Sequence, residues 1–165
     1  MASILPRFNS RRMVSEYFTK CYMPASKQYH LYRENNCENS GIIAAWKNRI
    51  RNAWPEVTLR RLDAEQKEIR YGESLHLDVA VGLNGLDPGD IILEMLLGLQ
   101  TQKEKLEGSA RYRFEATGNM TETGENVFTL EVQPDRCGKL EYFIRAFPHH
   151  RMMTHPFEMG MMRWL

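Results

Sequence analysis

The sequence lacks several features on which whole classes of protein depend. Of its 165 residues only three are cysteines, Cys21, Cys37 and Cys137, and they are widely spaced. An odd number of cysteines cannot pair completely, and none lies in a Cys-x-x-Cys pair, so we predict no disulfide framework. Reduced thiols are typical of proteins of the cytoplasm, which is the location that we expect.

Charge of one sign and long apolar runs are also missing. The formal net charge is +1, whereas binding to nucleic acid or to an acidic membrane surface requires a basic excess. No segment approaches the roughly 20 apolar residues that cross a bilayer. Arg7, Arg11 and Arg12 precede any apolar run, which is not the pattern of a secretory signal. We therefore expect neither a nucleic-acid nor a membrane partner.

Motifs that carry catalysis are absent as well. The sequence has no glycine-rich phosphate loop ahead of a helix, no Walker lysine and no Gly-x-Ser-x-Gly elbow. His149, His150 and His155 lie in one predicted loop, but no nearby cysteine or carboxylate pattern completes a zinc ligand set. Asp87 and Asp90 are explained as turn residues. We expect no catalytic, cofactor-binding or metal-binding residue in this chain.

What the sequence does contain is a helical segment with one apolar face. Asn9 or Ser10 is a candidate N-cap, and Pro24 is expected to end the first helix. Large apolar residues on one face of a helix need a partner to cover them, so we predict a docking face. Its members recur at helical spacing and are Met13, Val14, Tyr17, Phe18, Cys21 and Tyr22.

The remainder of the helical segment is weaker in pattern. A second helical stretch is predicted over 25–34, followed by a turn at Asn35-Asn36 and Asn39-Ser40-Gly41. A third helix is predicted over 42–53 and is stopped by Pro55. Because the apolar period changes at Trp54-Pro55, we divide the chain into a helical segment, 1–55, and a β domain, 56–165.

Alternating apolar residues predict strands throughout the second part of the chain. About seven short strands, separated by glycine-rich turns, predict an immunoglobulin-like β-sandwich. The predicted strands are 57–59, 75–81, 91–97, 111–116, 128–132, 140–146 and 159–164. A closed barrel is the alternative. We favour the sandwich because Tyr142 follows the turn at 138–140 as a tyrosine-corner residue would.

Aromatic side chains are candidates for stacking on sugar rings. Those considered are Trp46, Trp54, Tyr71, Tyr112, Tyr142 and Trp164. Most occur at core spacing, which favours burial. Tyr71, between Arg70 and Gly72, is the strongest candidate for exposure, and we select Tyr71 and Trp54 as candidate glycan contacts.

Segments at the two ends of the chain carry a family resemblance. LPRFNSRRMVSEY (5–17) stands near the start, and FIRAFPHH (143–150) and HPFEMGMMRW (155–164) stand near the end. Both ends resemble the C-terminal region of the α-glucan phosphorylases. The resemblance implies that catalytic domains lie upstream and that the parent enzyme uses pyridoxal phosphate to phosphorolyse α-1,4-glucan to glucose 1-phosphate. The cofactor lysine and the phosphate-binding residues of that family have no match here.

The resemblance thus implies a C-terminal accessory region that braces catalytic domains and is not catalytic alone. Its expected partners are those catalytic domains and, as a second partner, α-glucan. Two alternatives remain from the sequence. One is a free-standing glycan-binding sandwich, and the other is a protein-interaction domain that forms a homo-oligomer through the apolar helix face.

Overall fold

The computed structural model describes residues 9–64, 70, 72–100, 106–135 and 138–165. Its helical segment consists of α1 (Ser10–Tyr17), a π-helical turn (Phe18–Tyr22), α2 (Met23–Ala53) and a short 3₁₀ turn (Trp54–Glu56). Asn9 is the N-cap of α1, because its side-chain Oδ1 accepts a 2.8 Å hydrogen bond from the backbone N–H of Arg12. The predicted cap is therefore confirmed at Asn9.

The prediction that Pro24 ends the first helix is wrong. The π-helical turn precedes Pro24, and the backbone N–H of Met23 bonds the carbonyl of Phe18, five residues earlier. A turn of this kind changes the hydrogen-bond register, so the helix does not depend on the donor that proline lacks. The chain stays helical through Arg33.

A break inside α2 separates two helical parts. Glu34 is extended, and Asn35, Asn36 and Cys37 have left-handed backbone conformations. Asparagine adopts that conformation more readily than most residues, so the predicted turn at Asn35-Asn36 is confirmed. The predicted extension of the turn over 39–41 is wrong, because those residues belong to the helical part 38–53.

Eight strands form two antiparallel sheets in the described part of the chain. The first sheet has the order β1-β2-β6-β5 and the second the order β4-β3-β7-β8. The strands are β1 (Thr58–Arg61), β2 (Leu75–Gly82), β3 (Ile91–Gln100), β4 (Leu106–Arg113), β5 (Glu115–Met120), β6 (Asn126–Val132), β7 (Leu140–Pro148) and β8 (Arg163–Trp164). A mainly β sandwich preceded by a helical segment is confirmed. The alternative of one closed barrel is wrong.

Two predicted strands differ from the observed ones. The predicted strand 111–116 is split at Phe114, and its two parts belong to different sheets. Phe114 is buried between them, and its N–H donates to the carbonyl of Leu93, so this residue marks the crossing from one sheet to the other. The predicted strand 159–164 is reduced to Arg163–Trp164.

The core is shared by the inner faces of both sheets and one face of the helical part 38–53. Ile43, Trp46 and Ile50 of that helix lie in the same cluster as Leu77 of the first sheet and Met95 of the second. This part of α2 is therefore held by the same hydrophobic burial that holds the sandwich together. The division of the chain at 55/56 stays a prediction.

Tyr142 does not form the tyrosine corner that supported the sandwich prediction. Its hydroxyl accepts a hydrogen bond from the guanidinium of Arg61, which also binds the carboxylate of Asp63. A tyrosine corner instead joins the hydroxyl to backbone a few residues upstream. The prediction of two sheets was correct, but this reason for it was wrong.

None of the helices in the described ranges is long and apolar enough to cross a membrane. The thiols of Cys21 and Cys37 are exposed and unpaired. Cys137 lies outside the described residues.

Candidate docking surface on the helical arm

The first part of the helical segment, residues 10–33, is here named the arm. Neither α1 nor the π-helical turn contains a buried residue. The five large apolar members of the predicted docking face are each at least 50% exposed, and Cys21 is exposed too. The structure thus places all six predicted residues, Met13, Val14, Tyr17, Phe18, Cys21 and Tyr22, on the solvent-exposed arm.

The side of the arm away from the docking face is charged. The carboxylate of Glu16 lies 3.6 Å from the guanidinium of Arg12 and 4.0 Å from the ammonium of Lys20, at helical i, i+4 spacing. Such exposed pairs contribute only about 0.3–0.5 kcal/mol each to a helix. These pairs therefore mark the polar side of the arm.

The far end of the arm is fixed to the sandwich through one carbonyl. The side-chain amide of Gln28 and the hydroxyl of Tyr32 both donate to the backbone oxygen of Met152, the hydroxyl at 2.9 Å. Leu31 and Tyr32 also pack against the core. The arm is therefore attached near residues 28–32, whereas α1 and the π-helical turn pack mainly against neighbouring parts of the helical segment.

The break at 34–37 determines the direction of the arm. Two side chains from the next helical part bond back across it: Asn39 Nδ2 donates to the Leu31 carbonyl at 2.7 Å, and Ser40 Oγ donates to the Tyr32 carbonyl at 3.0 Å. Carbonyls at a helix end need partners of this kind. The break is thus a defined, hydrogen-bonded connection between the arm and the helix that follows.

The helical part 38–53 is held on the sandwich by a buried carboxylate. Asp90 is 7% exposed and accepts hydrogen bonds from Trp46 Nε1 at 2.7 Å and from the backbone N–H of Asp87 at 2.9 Å. The guanidinium of Arg49 lies 2.9 Å from the same carboxylate. A buried charge requires such compensation. Asp87 and Asp90 also form a capping box, in agreement with their predicted role as turn residues.

Two histidines of the loop at 149–155, His150 and His155, make structural contacts through their rings. The ring of His150 lies 5.0 Å from that of Trp46, and its Nδ1 accepts the N–H of Met152. His155 Nδ1 accepts the N–H of Phe157. Burial lowers the pKa of His149 and of His150, with nearby arginines acting in the same direction, so both imidazoles are neutral at pH 7.

Within the described ranges, no group of three or more histidine, cysteine, aspartate or glutamate side chains is placed to hold a metal ion.

The structure describes one of the two predicted glycan contacts, Trp54. Trp54 is 5% exposed and lies in the core, so its ring has no face available for a sugar, and its selection as a contact is corrected. Tyr71 lies outside the described residues.

Sequence reasoning missed an ion pair on the outer face of the second sheet. Arg145 and Glu94 are 9% and 8% exposed and are directly paired across β7 and β3. Arg145 Nε donates to Glu94 Oε1 at 2.7 Å, and Nη2 bonds the same oxygen. The two residues are 51 positions apart, so no local pattern could have joined them.

Comparisons with known proteins identify the family to which the sandwich is similar. The family model described as the glycogen phosphorylase C-terminal domain matches residues 54–165. Maltodextrin phosphorylase of Thermococcus litoralis is 27% identical over 98% of this chain and 19% of its own length. The glycogen phosphorylases of Mycobacterium bovis and Mycobacterium tuberculosis are each 24% identical over 94% of this chain and 18% of theirs.

The chain therefore spans about a fifth of the length of these curated relatives. No solved structure matches it. Since the family model covers the whole sandwich and more than half of the sequence, the chain belongs to the family of the glycogen phosphorylase C-terminal domain.

Proposed function

We propose that this chain is the C-terminal accessory region of an α-glucan phosphorylase-like glycosyltransferase and that its role is to brace the catalytic domains. The observation that carries the proposal is the exposed apolar face of the arm. The match to a fifth of the relatives' length supports it, because the remainder of such a protein would supply the missing partner. The parent reaction would be phosphorolysis of α-1,4-glucan to glucose 1-phosphate, with pyridoxal phosphate bound by the catalytic domains.

The strength of the docking contact favours attachment within one polypeptide. Complete burial of a large apolar side chain contributes about 1.5–3 kcal/mol, and these side chains are already about half covered. Five such residues would contribute on the order of 6 kcal/mol, which is comparable to the roughly 4–15 kcal/mol that free association costs. Covalent connection to the catalytic domains removes most of that cost. The arm is therefore suited to dock in cis and only weakly in trans.

The test compares lysine substitutions on the two sides of the arm in the polypeptide that carries the catalytic domains. Tyr17→Lys with Phe18→Lys places two charges on the docking face, whereas Thr19→Lys places one on the opposite side, beside Glu16. Lysine is a good helix former, so the helix itself is preserved. We expect the double variant to lower the midpoint of thermal inactivation of phosphorolysis by several degrees and the control to leave it unchanged.

Equal inactivation midpoints for the double variant and the control would contradict a docking role for this face. The chain alone provides a second readout. We expect it to show neither phosphorolysis nor the absorbance of bound pyridoxal phosphate, and either observation would overturn the proposal. The solution mass of the chain tests the alternative, which is self-association through the same face. If the chain is a dimer and the double variant Tyr17→Lys, Phe18→Lys is a monomer, the face is a contact between two copies.

We further propose that the sandwich is immunoglobulin-like and that the protein is cytoplasmic. The order β1-β2-β6-β5 corresponds to strands A-B-E-D of such a sandwich, and β3-β7-β8 corresponds to C-F-G with β4 added beside C. Exposed free thiols at Cys21 and Cys37 support a reducing location.

A further inference from the structure

The outer faces of the two sheets differ in chemistry. On the first sheet, the directly paired residues His76 and Glu131 face outward, and so do Asp78 and Thr129. On the second sheet the outward rows contain exposed aromatic rings. One row is Arg113, Glu94, Arg145 and Trp164, and the next is Arg111, Leu96 and Phe143. The water-exposed face of an antiparallel sheet is normally polar, as the outer face of the first sheet is.

Trp164 is held in a fixed orientation on this face. The guanidinium of Arg145 lies over its ring, 5.5 Å from the centroid, and the ring of Phe143 meets it edge to face at 6.4 Å and 88°. Arg145 is itself fixed by Glu94. One face of the indole is thus covered by a cation, yet Trp164 is 53% exposed and Phe143 is 43% exposed. The uncovered indole face is presented to solvent in a defined position.

We propose that Trp164 and Phe143 form a binding site for an α-glucan chain, an inference that rests on the proposed function for the class of the sugar. The C–H groups on one face of a pyranose pack against an aromatic ring, as other apolar groups do. Sugar hydroxyls need donors and acceptors at the edge of that contact. Arg111 and Arg113 stand on the same face, and Glu141, two residues before Phe143, stands on it as well.

The size of the aromatic patch favours a sugar over a protein partner. A large aromatic side chain has roughly 150–250 Å² of surface, so the exposed parts of Trp164 and Phe143 together present about 200 Å². A specific protein interface takes roughly 800 Å² from each partner. Leu96 of β3 is half-buried beside Phe143, and exposed Arg111 of β4 follows it in the same row, so the apolar patch ends at β3 on this side. The patch therefore matches one or two sugar rings.

The experiment uses tryptophan fluorescence of the whole chain. Of its three tryptophans, Trp46 and Trp54 are 6% and 5% exposed, so a sugar that stacks on an exposed ring changes the emission of Trp164 alone. We expect maltoheptaose to produce a saturable change with a half-saturation concentration of about 1 mM, which is the range of a weak, single contact. Cellohexaose, a β-linked control, should require at least about tenfold more ligand for the same change.

Two variants locate the site. Trp164→Ala should abolish the fluorescence response, and Phe143→Ala should raise the half-saturation concentration about threefold while the response of Trp164 remains. Calorimetric titration measures the binding of maltoheptaose to Trp164→Ala without relying on fluorescence. Circular dichroism checks that both variants are folded. No response to 20 mM maltoheptaose, or unchanged binding in Trp164→Ala, would overturn the proposal.

The experiments distinguish an error in the glucan site from an error in the proposed function. Glucan binding is measured on the chain alone, whereas bracing is measured by inactivation of the polypeptide with its catalytic domains. If Trp164→Ala lowers that inactivation midpoint and the chain ignores maltoheptaose, the patch is a protein contact and the glucan site is wrong. Equal binding of maltoheptaose and cellohexaose would overturn the assignment to α-glucan.

Discussion

Replacement of Asp90 by alanine tests how the helical part 38–53 is held on the sandwich. The substitution leaves the buried N–H of Trp46 without its acceptor, which costs about 1–3 kcal/mol. It also removes the acceptor of the Asp87 N–H, worth about 1 kcal/mol. The Arg49 side chain is 45% exposed, so loss of that ion pair adds less than about 1 kcal/mol. Relief of the buried charge offsets part of the sum, and we expect a net loss of about 2–4 kcal/mol.

Urea unfolding followed by far-ultraviolet circular dichroism measures this loss. With a slope of about 2 kcal/mol/M for a chain of this size, the midpoint should fall by about 1–2 M. Asp87→Ala is the matched control, since its carboxylate lies in the same turn but is 78% exposed. Loss of that cap should cost only about 1 kcal/mol. Equal midpoints for the two variants would refute the argument that Asp90 carries the attachment.

Three further predictions concern other parts of the chain. Glu94→Ala should destabilise the protein by about 3–5 kcal/mol because it leaves Arg145 buried and unpaired, whereas Glu94→Leu with Arg145→Met should restore most of that stability in the same urea assay. Because burial lowers the pKa of His149 and His150 from 6.5, the unfolded chain binds more protons than the folded chain just below that pH. Stability should therefore fall as the pH drops from about 6.5 towards 5, and replacement of both histidines by glutamine should flatten this slope in urea titrations at several pH values. Tyr32→Phe removes one hydrogen bond to the Met152 carbonyl, and it should accelerate amide hydrogen exchange in residues 10–33 without a comparable change in the sandwich.

Much of the local structure could be predicted from the sequence. The cap at Asn9 depends on residues within one turn, and the alternating pattern of Leu75 to Val81 is sufficient to define a half-buried strand. The helical spacing of the six apolar residues of the arm follows from the sequence alone, and the structure places all six in solvent. That they form a docking face stays a prediction.

Features that depend on contacts between distant residues could not be predicted in this way. The Glu94–Arg145 pair depends on the register of β3 against β7, which joins positions 51 apart. Register also brings Phe143 and Trp164 together into the proposed glucan site. The same limit explains the wrong selection of Trp54 as a glycan contact. The sequence shows an aromatic ring that could stack on a sugar, but only the packing of the shared core shows that this ring is buried.

The sequence by itself determined the succession of helical and alternating segments, the apolar face of the arm and the family to which both ends are similar. Only the tertiary structure decided that the helix continues past Pro24, that the chain changes sheets at Phe114 and which aromatic rings stay exposed. The physical reason is the range of the interactions. Hydrogen-bond capping and side-chain periodicity act within a few residues, whereas strand register and core packing depend on every element that shares the core.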